Sequence, residues 1–200
     1  MHEELLCKNS GFFASASKGG WKEGQEHCVP LPEDVPLIVE LYLNWLYTGT
    51  IVCLSSHDGE EENVGKTRRR ENELLVDGYV FGEKVQDGGF RDAIVDSLIH
   101  AVSTPNKAGR CWYPGPLTVD RAFKGTPERS PLRKLLVDMH VFRGNNKWLD
   151  GDNNPELLAE LAQYAFKDKR ASLQADPTRP TLDSCRYHHH SEGEKCSWPK

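Results

Sequence analysis

The sequence predicts an α+β fold that is mostly α-helical. Three observations point there. Apolar residues recur at helical spacing in several separate segments. Helix-opening pairs of a capping residue followed by proline occur more than once. Only one segment, Cys28-Val29-Pro30-Leu31, has the look of a strand, and it is short.

Residues 2–16 read as two short helices carrying Leu5, Leu6, Phe12 and Phe13, with Ser10-Gly11 as the break between them. Residues 17–27 are polar, and Gly19-Gly20 marks a turn. Pro30 removes a backbone donor, so the strand near 28–31 belongs at an edge. The clearest helix follows, with Asp34 as the expected N-cap and Pro36 in its first turn. Leu37, Ile38, Leu41, Tyr42, Trp45 and Leu46 share its apolar face, and Gly49 suits its C-terminal cap.

Residues 54–72 run from acidic (Asp58, Glu60, Glu61, Glu62) to basic (Lys66, Arg68, Arg69, Arg70) with few apolar side chains, and are expected to form a mobile loop. Two helices come next. The first holds Leu74, Leu75, Phe81 and Val85, and its Gly78 and Gly82 lie one turn apart, which suits close approach by a neighbouring helix. The second carries Phe90, Ile94, Leu98 and Ala101 on one stripe. Residues 103–129 form a Pro- and Gly-punctuated connector with a short helix at 117–124. Ser130-Pro131 and Asn154-Pro155 each open a further helix. From about Ala171 the chain turns polar, and residues 171–200 are expected to be a disordered Cys/His-containing tail. The division is therefore 1–103 as the main domain, 104–170 as a helical extension, and 171–200 as tail.

Composition narrows the function classes. Of the 200 residues, 38% are hydrophobic, so the core is modest. A net charge of −5 argues against a broad nucleic-acid surface, which needs excess Lys and Arg to neutralise phosphates. No stretch approaches the ~20 apolar residues of a membrane span. The acidic start Met1-His2-Glu3-Glu4 lacks the features of a secretory signal, so the expected location is intracellular, cytoplasm or nucleus. The six cysteines are irregularly spaced and fit buried thiols better than a disulfide framework.

Several segments resemble the BTB/POZ family, in its fungal form. His2-Glu3-Glu4-Leu5-Leu6-Cys7-Lys8-Asn9-Ser10-Gly11-Phe12-Phe13 is similar to that family's H-K-x-L-L helix pair. Trp21-Lys22-Glu23 and Val29-Pro30-Leu31-Pro32-Glu33-Asp34 resemble the approach to a strand and its L-P-E-D turn. Leu43-Asn44-Trp45-Leu46-Tyr47-Thr48-Gly49 is close to L-x-x-L-Y-T-G. Weaker likenesses at Leu75–Asp87 and Ser130–Asp138 extend the resemblance over residues 2–170. The family's opening β-hairpin has no counterpart before His2, so the implied fold is a partial BTB/POZ core with a C-terminal helical extension. The missing strands would come from outside this sequence.

The resemblance implies a protein–protein interaction module: a self-associating scaffold or homodimer, or an adaptor, including substrate adaptors on a cullin scaffold. Leu5, Leu6, Phe12 and Phe13 are the interface residues it suggests, and Trp21 is a further candidate because aromatics are enriched at interfaces. An enzyme is not expected. No nucleophile elbow surrounds Cys7 or His2, and Gly78-x-x-x-Gly82 lacks the Lys-Ser/Thr of a phosphate loop. Arg68-Arg69-Arg70 with Lys66 reads better as a solvated loop than as a nuclear-import or phosphate patch. The tail offers one alternative chemistry. Cys185, His188, His190 and Cys196 supply two thiols and two imidazoles, the donor set of a tetrahedral Zn²⁺ site. The competing reading is an incidental cluster in a polar tail, and a fragment with no function of its own is a further alternative.

Overall fold

The computed structural model describes residues 3–18, 22–52, 61–149, 151, 153–166, 176–177 and 184–189. Among these the elements are α-helices: α1 (Glu3–Asn9), α2 (Gly11–Ala16), α3 (Lys22–Glu26), α4 (Pro36–Thr48), α5 (Glu61–Val85), α6 (Gly88–Ser103), α7 (Pro116–Gly125), α8 (Pro131–Arg143) and α9 (Pro155–Phe166). Single 3-10 turns add Asn146–Leu149 and Ser184–Tyr187.

This corrects the expected α+β class. No strand occurs among the described residues, and the chain folds as a helical bundle. Cys28–Leu31 is irregular. Its Val29 and Leu31 pack against the core. What it lacks is a second strand to pair with, and without a ladder an extended segment is not a sheet.

The charged segment is the second correction. Residues 61–72, expected as loop, are the first turns of the 25-residue α5, while 53–60 lie outside the described residues. A helical stripe was present but disguised. Val64, Arg68, Glu71 and Leu75 recur on one face, and all are buried. Arg68 donates to Glu71 at 3.1 Å, an i,i+3 pair that lets two charges occupy core positions.

The middle of the bundle is the antiparallel pair α5 and α6, joined by the turn 86–87. Gly78 and Gly82 lie on the shared face. A Cβ on Gly78 would stand 3.1 Å from Ile94 Cδ1 and 3.2 Å from Leu41 Cδ2, and one on Gly82 would stand 3.1 Å from Phe90 Cδ1. α4 crosses this pair and contributes Leu41, Tyr42 and Trp45. It starts one residue later than expected: Val35 is the N-cap, and Asp34 instead pairs with Lys84 at 2.6 Å. It stops at Gly49, whose left-handed φ of 68° lets its N–H reach Trp45 O at 2.7 Å.

Asp87 ties these elements together. Its carboxylate caps α6 by accepting from Phe90 N at 2.9 Å and also accepts from Tyr42 Oη at 2.9 Å. Burial pushes its pKa up, against hydrogen bonds and Arg91 that pull it down. Removing the carboxylate in Asp87→Ala strips a cap and orphans a buried hydroxyl, and should cost about 2 kcal/mol in denaturant unfolding. The pH dependence has a definite sign. Below about pH 4 the carboxyl is protonated in both folded and unfolded chains. As pH rises, the unfolded chain releases this proton before the folded one does, so this group's contribution falls through that window. Asp87→Asn keeps the cap acceptor without the titration, so it should gain stability on the wild type between pH 4 and pH 7. Parallel unfolding curves for the two proteins across that range would refute this assignment.

Candidate interaction groove

The α1–α2 hairpin places the expected interface residues. Leu6 and Phe13 are buried, Leu5 and Phe12 are half-buried, and Trp21 lies outside the described residues. Phe12 meets Phe13 edge-on at 5.1 Å. Ser10 sets the angle between the two short helices. Its hydroxyl accepts from Phe13 N at 3.1 Å, capping α2, and donates to Val85 O at the end of α5. Leu6 and Phe13 therefore face inward. They form the floor of a groove of about 290 Å³ together with Val39, Tyr42, Leu43 and Phe81.

One wall of that groove is the irregular segment after α3, through Val29 and Leu31. Each precedes a proline, which disfavours helical backbone and favours extended backbone. The N–H groups of Val29 and Leu31 have no acceptor among the described residues. In a strand, successive residues present their N–H and C=O to opposite edges. Paired as a strand, Val29 and Leu31 would share one edge, and Pro30 and Pro32, which have no N–H, the other. Only the first edge has donors. The rim is acidic: Glu23 and Glu3 line it, with Glu3 held by His27 at 3.2 Å.

The tail behaves differently from the expected disordered segment over the residues described. Ser184–Tyr187 forms a turn docked between α6 and α8. Tyr187 is fully buried and donates to Asp138 at 2.8 Å. His188 places Nε2 3.0 Å from Asp96, and His189 donates its backbone N–H to Asp92 at 2.9 Å. Cys185 is half-buried. His190 and Cys196 lie outside the described residues, so the four expected zinc ligands are not seen together. Among the described residues no group of three His, Cys, Asp or Glu side chains is placed to hold a metal ion.

Sequence reasoning missed Asp92, Asp96 and Asp138 as partners of the tail. Their only signal was polar residues inside otherwise apolar helical stripes, at 92 and 96 beside Phe90, Ile94 and Leu98. The basic run is also rearranged: Arg68 is buried, while Arg69 and Arg70 are exposed on α5. No helix among the described residues is long and apolar enough to cross a membrane. Deleting the buried ring in Tyr187→Ala should undock the turn, since large aromatic truncations cost about 3–5 kcal/mol. Amide exchange over 184–189 should then rise on the order of 100-fold, and unchanged exchange would mean the turn is held elsewhere.

Comparison with known protein families, curated proteins and solved structures finds no match to this chain.

Proposed function

We propose that this chain is a non-catalytic protein–protein interaction module of the BTB/POZ kind, acting by self-association or as an adaptor. The observation that carries the reading is the groove beside Val29 and Leu31. It combines an apolar floor with one row of backbone donors that lack acceptors. Those are the two requirements for taking up an extended segment of another chain: main-chain pairing for affinity and side-chain pockets for specificity. The acidic rim favours a segment that carries Lys or Arg beside its apolar residues. A cullin scaffold is one adaptor setting that the sequence resemblance suggests.

Light scattering behind a sizing column tests it. The self-association form of the reading expects a peak at twice the 22.6 kDa of the chain. Leu43→Glu, a half-buried groove residue, should shift that peak to monomer without loss of helicity. The adaptor form expects a monomer that enriches displayed peptides with alternating apolar residues, and Leu43→Glu should lose that enrichment. A monomer that enriches no peptide over the variant overturns both forms.

A second reading, a zinc-binding regulatory tail, has one observation in its favour. His188 holds a carboxylate, Asp96, on Nε2, the outer-shell arrangement common to zinc-bound imidazoles. Metal analysis of Cys185→Ser/Cys196→Ser decides it. Stoichiometric zinc in the wild type and none in the double variant is the expected result, and equal content in both rules it out.

A further inference from the structure

A larger cleft, about 740 Å³, opens between α8, α9, the turn 126–130 and the docked tail turn. That volume lies in the range of small-molecule sites, roughly 300–1,000 Å³. Its lining is strongly charged, and what decides its chemistry is which charges are already spent. Arg133 is spent. It is buried, it donates to Glu156, to the Thr126 hydroxyl at 3.0 Å and to the carbonyls of Phe123 and Thr126, and it lies over the Phe123 ring. That consumes Glu156 as well. Asp138 is buried and divides itself between Tyr187 and Arg186. Glu160 is engaged too. Glu128, at the rim, is the one lining carboxylate without a partner among the described residues.

Three cations remain under-used. Arg129 has no acceptor among the described residues. It is also held at a φ of 64°, a left-handed backbone that costs a non-glycine residue energy and recurs at functional sites. Among the described residues Lys134 has one acceptor, the neutral Arg186 carbonyl at 3.2 Å. Arg186 makes one long bond among the described residues, 3.3 Å, to the shared Asp138. Lys134 and Arg186 both lie over the Tyr187 ring, at 5.4 and 5.1 Å from its centroid, so two like charges are crowded onto one aromatic. Desolvation and the neighbouring Arg186 lower the pKa of Lys134, against Asp138, which raises it.

We propose that this cleft binds a phosphate monoester group between Lys134, Arg186 and Arg129. The three cations come from separate segments (α8, the tail turn and the 126–130 turn) and line the same cleft. A carboxylate offers two oxygens and one charge. A phosphate monoester offers three oxygens and close to two charges, which matches three convergent donors better. Because Arg186 and Tyr187 belong to the docked tail turn, binding also bridges the tail to α8.

The test is a ¹⁵N NMR titration of the full chain with inorganic phosphate, with chloride at matched ionic strength as the control. Saturable shifts in α8 and 184–189 that phosphate produces and chloride does not are the expected result. Lys134→Gln should weaken the apparent affinity at least tenfold, the loss expected for one charge-assisted bond to phosphate. Arg129→Gln sits in an exposed turn, leaves tail docking intact, and should weaken binding severalfold with an unchanged melting temperature. It decides the matter if Lys134→Gln destabilises the fold. O-phospho-L-serine in a parallel titration tests the ester: binding at least as tight as that of inorganic phosphate is expected, and markedly weaker binding overturns the monoester assignment. No saturable response in the wild type, or equal affinity in wild type and Arg129→Gln, overturns the proposal.

Discussion

The architecture depends on the tight turn between α5 and α6. Within a few residues, Val85 accepts from Ser10, Gln86 accepts from Gly11 N at 3.5 Å, and Asp87 accepts from Tyr42 and caps α6. The N-terminal hairpin and α4 are therefore anchored to the same spot. The Ser10, Tyr42 and Phe90 contacts are buried, where an unpaired group would be costly, so together they restrict how these helices can be arranged. The aromatic packing follows from it. Tyr42 stands 4.9 Å from Phe90 and 5.5 Å from Phe81, and its ring can sit there because its hydroxyl has Asp87. The groove is a by-product of this geometry: the hairpin is held to the α5–α6 turn at its Ser10 end, leaving a space between it, α4 and the segment at Val29.

The second half of the molecule is organised around charges rather than rings. Arg133 fastens the end of α7 to α8 and α9 by bonding to Phe123, Thr126 and Glu156. Asp138, one turn further along α8, secures Tyr187 of the tail. Buried charges of this kind require near-complete pairing. Where the pairing is complete, as at Arg133, the site is structural. Lys134 and Arg129, by contrast, are exposed at the open cleft and have no carboxylate acceptor among the described residues. The same helix thus carries both a structural and a binding assignment, separated by how many acceptors each cation already has.

Much of the helical content was legible in the sequence. Ser130-Pro131 and Asn154-Pro155 mark the starts of α8 and α9 to the residue, and Asn154 Oδ1 does accept from Glu156 N at 2.9 Å. The Ser10-Gly11 break and the Gly49 cap are likewise local chemistry, readable without tertiary information. The start of α5 was not legible, because its core-facing stripe includes Arg68 and Glu71. Hydropathy counts such residues as surface, and only the partner across one helical turn makes them interior. α3, five residues in a polar stretch, carries no apolar stripe to announce it.

Sequence alone determined where most helices begin and end, because caps, prolines and periodicity act over a few residues. It also determined that Val29 and Leu31 are not helical, because each precedes a proline. Tertiary structure decided whether that segment became a strand, since a ladder needs a second chain segment at hydrogen-bonding distance and the described residues supply none. It also decided which charges are interior and which stay available, as Arg133 and Lys134 are neighbours in sequence with opposite fates. The partners that bury Arg133 lie 7 to 23 positions away, beyond the reach of a local helical pattern.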